Sequence, residues 1–105
     1  MASNQADIII VGGGMVGLTL VRALADTKLK ILVLDKEPWT IPEAHSEPDL
    51  RVSAITRASQ NIFRNLGCWH LIKALGVSRY EKMHVWDATG DGSISFDAAE
   101  LAEAD

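Results

Sequence analysis

The chain has 105 residues, 48% of them hydrophobic, with 10 basic against 14 acidic side chains and a formal net charge of −4. That hydrophobic content belongs to a folded domain of modest size, and a net negative charge gives no basic face for nucleic acid. The single cysteine, Cys68, forms no internal disulfide, which suits a reducing compartment.

Met1 to Ala6 is polar and lacks the basic start and apolar stretch of a signal peptide. No run approaches the ~20 apolar residues of a membrane span. The expectation is a cytoplasmic protein, compatible with a peripheral place at a membrane. Ile8-Ile9-Ile10-Val11 is a β-branched run bounded by Asp7 and three glycines, which predicts a buried strand. Gly12-Gly13-Gly14 then makes a turn, and a helix opens at Met15-Val16-Gly17 and runs to about Thr27. Its apolar residues lie on nearly all sides, so protein is expected to cover most of its surface. Asp26-Thr27-Lys28 is a polar turn into a second strand, Ile31-Leu32-Val33-Leu34, which ends on Asp35.

Residues 7–35 thus order strand, glycine turn, helix, strand and acid as the adenosine half of a dinucleotide requires. A pyrophosphate sits against the first turn of a helix, where unpaired N–H groups and the positive end of the dipole point. Gly12 permits the tight turn, Gly14 lets the phosphates approach, and Gly17 brings helix and strand together. Met15 and Val16 lie in the first helical turn. Asp35, eighteen residues past Gly17, is placed to accept both hydroxyls of a ribose and to repel a 2′-phosphate. Lys36 follows it. Val21 stands where such helices carry a small residue, which is expected to hold this one slightly off the sheet.

Residues 36–50 contain Pro38, Pro42 and Pro48 among acids and polar residues, the composition of an irregular loop. Arg51 to Ile55 reads as a short strand-like entry to a helical segment over 56–76, with Ser53 or Thr56 as the cap. Within it, Arg57 to Leu66 is helical and ends at Gly67. A second amphipathic stretch carries Trp69, Leu71, Ile72 and Leu75, and stops at Gly76. Cys68, in Leu66-Gly67-Cys68-Trp69, reads as a buried small apolar position. Lys82 to Asp87 and Ser93 to Asp97 are strands joined by a glycine-rich turn, giving a hairpin over 82–97. The stretch from Asp87 also approximates an EF-hand calcium loop, but Ala98 stands where the bidentate Glu belongs. A hairpin explains every residue, and no metal site is predicted; His45, His70 and His84 are too scattered for one.

Several blocks together carry a resemblance. Val11-Gly12-Gly13-Gly14-Met15-Val16-Gly17-Leu18, Arg51-Val52-Ser53-Ala54-Ile55, Leu66-Gly67-Cys68-Trp69, Val85-Trp86-Asp87 and Ile94-Ser95-Phe96-Asp97 resemble the FAD-dependent aromatic hydroxylases. Within that group they are most similar to the 2-polyprenylphenol hydroxylases of ubiquinone biosynthesis. The resemblance implies an α/β chain: the N-terminal part of a Rossmann-like FAD/NAD(P)-binding fold, a βαβ unit plus helices and a β-hairpin, truncated before its third parallel strand. It implies a monooxygenase that uses FAD, NAD(P)H and O2 on a polyprenylated phenol, with a place in a quinone-synthesis complex. It also implies that Gly12, Gly14 and Gly17 hold the FAD pyrophosphate, Asp35 the ribose, and Arg51 the region of the flavin and its phosphates. No catalytic residue is expected in this stretch, and the chain reads as catalytically incomplete. Two alternatives stand beside this: an FAD-dependent oxidase of another class, and a non-catalytic nucleotide- or calcium-binding module.

Overall fold

The computed structural model describes residues 4–41, 47 and 49–101. Strand β1, Ile8–Val11, is followed by helix α1, Met15–Ala23, and strand β2, Ile31–Leu34. The two strands pair in parallel with Ile8 opposite Ile31 and Val11 opposite Leu34, and Gly12 N–H donates to the Leu34 carbonyl at 2.7 Å. Asp7 anchors the other end: its carboxylate accepts Lys30 N–H at 2.7 Å, and its own N–H donates to the Lys30 carbonyl at 2.9 Å.

Strand alternation sorts the side chains into two faces. Ile8, Ile10, Ile31 and Val33 are half-buried on the face that α1 covers, while Ile9, Val11, Leu32 and Leu34 are exposed. The contact that closes the unit is at Gly17, where an added Cβ would stand 2.1 Å from the Gly12 carbonyl oxygen and 3.3 Å from Ile10 Cγ2. Val21 is half-buried on the same helix, and the tight approach at Gly17 persists beside it.

The predicted helix to Thr27 ends earlier, at Ala23. The Thr27 hydroxyl donates to the Leu24 carbonyl at 2.6 Å and its N–H donates there at 3.1 Å, so the chain tightens into a turn instead of continuing. Nor is α1 covered on most sides. Met15, Val16, Leu18 and Leu20 are all exposed, because no element among the described residues lies over them.

Helix α2, Arg57–Asn65, is capped by Thr56, whose hydroxyl accepts Ser59 N–H at 3.2 Å. Its far end is a Schellman motif. Gly67, at φ +74°, donates to the Arg64 carbonyl and Cys68 donates to the Phe63 carbonyl, both at 3.0 Å. That turn aims helix α3, Trp69–Leu75, back across α2. Phe63 is the one buried hydrophobic residue among those described, at 6% exposure. Cys68 is half-buried, with its thiol donating to the Phe63 carbonyl at 3.5 Å. Arg51 to Ile55, predicted strand-like, has no partner strand among the described residues and forms no ladder there. Extended backbone without a neighbour stays irregular.

Strands β3, Lys82–Trp86, and β4, Ser93–Asp97, pair antiparallel, with Lys82 opposite Asp97 and Trp86 opposite Ser93. One face carries Met83, Val85, Ile94 and Phe96, all exposed; the other carries a Lys82–Asp97 ion pair at 3.2 Å and a stacked His84–Trp86 pair. A short 3-10 turn, Ala98–Leu101, follows. The radius of gyration is 18.3 Å, against about 13 Å for a compact domain of this length. The elements have therefore not collapsed around one interior.

Gly17→Ala forces the first turn of α1 off the strand. It is expected to destabilise the βαβ unit by about 3 kcal/mol, measured as a lowered denaturant midpoint with the slope unchanged.

Candidate nucleotide-binding site

The strand-to-helix turn draws its chemistry from what the backbone leaves unpaired. The first helical bond of α1 runs from Leu18 N–H to the Gly14 carbonyl at 3.0 Å, so Met15, Val16 and Gly17 have N–H groups with no acceptor inside the helix. Gly14 is the N-cap residue, no side chain caps the end, and no acidic residue sits in the first turn. Gly12 makes the turn at φ +108°, a conformation that residues with a Cβ avoid. In the direction a Gly14 Cβ would take there is nothing within 4 Å. Open space beside bare amides at the positive end of a helix is what an anionic diphosphate needs.

Asp35 closes the other side. Its Oδ2 accepts Gly13 N–H at 2.8 Å and its Oδ1 accepts Glu37 N–H at 3.2 Å, so the end of β2 is tied to the middle of the glycine turn. The bond from Glu37 N–H, then that from Gly13 N–H, and Lys36 nearby hold the carboxyl below its ordinary value. Each backbone bond occupies one lone pair of an oxygen, and the remaining lone pairs of an exposed carboxylate stay open to ribose hydroxyls.

The structure therefore brings together Gly12, Gly14, Met15, Val16, Gly17 and Asp35, with Lys36 adjacent. Arg51 does not join them by any hydrogen bond or ion pair among the described residues; it lies exposed in the irregular stretch before α2. Two participants were not read from the sequence. Gly13 supplies the N–H that fixes Asp35, a role visible only once the strands are paired. Trp39 borders Gly13, its Nε1 2.6 Å from where a Gly13 Cβ would stand, and the signal was an aromatic residue in a polar, proline-containing loop just past the acid.

The hairpin offers weaker chemistry. A shallow hollow of about 270 Å³, lined by Lys82, Met83, His84, Ser95, Phe96 and Asp97 among others, shares no residue with the glycine turn. The stretch resembling a calcium loop follows strand β3 and contains strand β4, with no α-helix leading into it. The Asp87 Oδ1 is already committed to Thr89, accepting its N–H at 2.9 Å and its hydroxyl at 3.1 Å. These two bonds hold the Asp87 carboxyl below its ordinary value. No helix among the described residues is long and apolar enough to cross a membrane.

Residues 5–104 match the family model described as FAD binding domain. The chain belongs to the FAD-binding domain family. Its relatives include "3-demethoxyubiquinol 3-hydroxylase" from Escherichia coli (strain K12), 36% identical over 101 residues, covering 96% of this chain and 26% of the relative. "Ubiquinone biosynthesis monooxygenase COQ6, mitochondrial" from Danio rerio is 41% identical over 105 residues, covering 92% of this chain and 21% of the relative. The Homo sapiens protein of the same name is 34% identical over 100 residues, covering 90% of this chain and 21% of the relative. The chain thus spans about a fifth to a quarter of the length of these relatives. FAD is the cofactor this family implies, and the turn fits it: free amides and open space for the diphosphate, and an ordered carboxylate for the adenosine ribose.

Gly14→Ala separates binding from folding in this FAD-binding domain. The new methyl meets no protein atom, so stability should change by less than about 1 kcal/mol, while FAD affinity, measured by equilibrium dialysis, falls about tenfold or more as the methyl enters the phosphate space. A second expectation concerns pH. Because the folded Asp35 carboxyl is held low, its charge and its backbone bonds are present above the ordinary aspartate range and are lost as pH falls through the depressed value. The ratio of ADP affinities between the parent and Asp35→Asn, which cancels the titration of ADP itself, should accordingly stay constant above the ordinary aspartate range and shrink only as pH falls below it.

Proposed function

We propose that the chain is the N-terminal, adenosine-holding part of an FAD-dependent monooxygenase that hydroxylates a polyprenylated phenol in ubiquinone biosynthesis. The observation that supports this most directly is the Asp35–Gly13 bond. It joins the ribose acid to the glycine turn in a chain whose relatives carry hydroxylase and ubiquinone-biosynthesis names. When bound, FAD would supply the redox chemistry by which NAD(P)H reduces O2, one oxygen atom entering the phenol ring and the other leaving as water. The residues of this chain do the holding. Met15, Val16 and Gly17 direct N–H groups to the diphosphate, Gly12 and Gly14 keep Cβ atoms out of its way, and Asp35 orients the ribose. An Asp35 carboxylate disfavours a 2′-phosphate at this subsite, so NADPH does not compete there.

Arg51 is assigned to the phosphate and flavin region in this reading, because a guanidinium pairs with phosphate through two parallel hydrogen bonds. The uncovered sheet and helix faces fit a partial FAD-binding domain, the missing cover being the further sheet and the substrate region. A cytoplasmic protein, held peripherally at a membrane or in a quinone-synthesis complex, suits a substrate with a polyprenyl tail.

The test is a chimera. Replacing the corresponding N-terminal stretch of the Escherichia coli 3-demethoxyubiquinol 3-hydroxylase with this chain should give a yellow flavoprotein with phenol-dependent oxygen uptake driven by NAD(P)H. A chimera that binds FAD but consumes oxygen only with an amine or a hydroxy acid would favour an oxidase instead.

A further inference from the structure

Trp39 lies four residues beyond Asp35, in an irregular segment that begins after the Asp35–Glu37 turn and contains Pro38. It sits against the glycine turn. A Cβ built on Gly13 would stand 2.6 Å from the indole Nε1, 3.2 Å from Cε2 and 2.9 Å from Asp35 Oδ2, so the indole edge and the carboxylate flank one residue. The rest of the ring is in water: Trp39 is 63% exposed and has no stacked aromatic partner among the described residues. Core packing does not account for its position: at 63% exposure it belongs to no core, and the one buried hydrophobic residue among those described, Phe63, lies on α2.

We infer that the Trp39 indole is the platform on which the purine ring of an adenine nucleotide stacks, completing the subsite opened by Asp35. The inference deepens the FAD reading and rests on it. A ribose held through its hydroxyls at Asp35 carries its base one bond beyond the sugar. The base therefore falls within reach of a ring that borders the same carboxylate. Indole is the largest and most polarisable of the side-chain rings, and a purine placed over it gains dispersion and quadrupole attraction while removing both apolar faces from water. Trp39 adds no charge and no hydrogen bond to the diphosphate. Its contribution is to the adenine end alone, and ADP is the probe that isolates it.

The experiment titrates the full chain with ADP by calorimetry and by tryptophan fluorescence, and measures FAD binding by equilibrium dialysis. Trp39→Ala should weaken both ADP and FAD about tenfold without altering the far-ultraviolet circular dichroism. Trp39→Phe, which keeps an aromatic face, should return affinity to within about threefold of the parent. ADP should quench the fluorescence of the parent chain but not that of Trp39→Phe, since Trp69 and Trp86 remain there and neither borders the turn. An unchanged or tighter ADP affinity in Trp39→Ala overturns the inference, the tighter case meaning that the indole merely obstructs the subsite. So does a full ADP quench that survives in Trp39→Phe. In either case FAD retained by the parent chain leaves the cofactor reading standing, whereas a parent chain that retains neither FAD nor ADP removes both.

Discussion

The carbonyl oxygen of Gly12 touches the first turn of α1 at the one residue, Gly17, that has no side chain to prevent it. That steric allowance decides the angle at which the helix leaves the turn, and so where its unpaired amides point. A methyl group there would separate helix from strand and spread the amides away from a common centre. Everything that follows, from the orientation of the helix dipole to the reach of Asp35, depends on this approach. The Asp35–Gly13 bond then works from the opposite side, holding the second strand to the turn so that the Asp35 carboxylate and the α1 amides keep a fixed spacing.

The two sheets have separate roles. The parallel pair is short and exists to present a turn at its carboxyl end, where ligands collect in folds of this kind. The hairpin places Met83, Val85, Ile94 and Phe96 on one face and Lys82, His84, Trp86 and Asp97 on the other, and its turn is tied internally by the two bonds from Thr89 to Asp87. Its likeness to a calcium loop reflects shared requirements. Both structures use Asp to satisfy backbone N–H groups and glycine to reverse the chain.

Much of this was legible in the sequence because local chemistry dictates it. The β-branched runs at Ile8 and Ile31, the cap at Thr56, the glycine stop at Gly67 and the alternation through Met83 and Ile94 each follow from backbone preferences that no distant contact overrides. Where the reading departed from the structure, a nonlocal partner was assumed. Apolar residues all round α1 imply cover that the described residues do not supply, and Arg51 to Ile55 has strand composition but no neighbouring strand among them. The end of α1 was missed for a local reason: a Thr27 hydroxyl competing for the Leu24 carbonyl outweighs helix propensity over the last few residues. Gly13 and Trp39 escaped notice because their importance is relational, arising only when β1 and β2 lie side by side.

The outer face of the β1–β2 pair, with Val11 at 84% exposure and Ile9, Leu32 and Leu34 beside it, leaves the described residues with very little interior of their own. A chain in that condition owes much of its persistence to whatever binds only its native form. At a hundredfold excess over the dissociation constant, a ligand contributes about 2.7 kcal/mol, comparable with sealing one large aliphatic side chain away from water. Flavin nucleotide would then act on these residues as a stabilising ligand, quite apart from any reaction it supports.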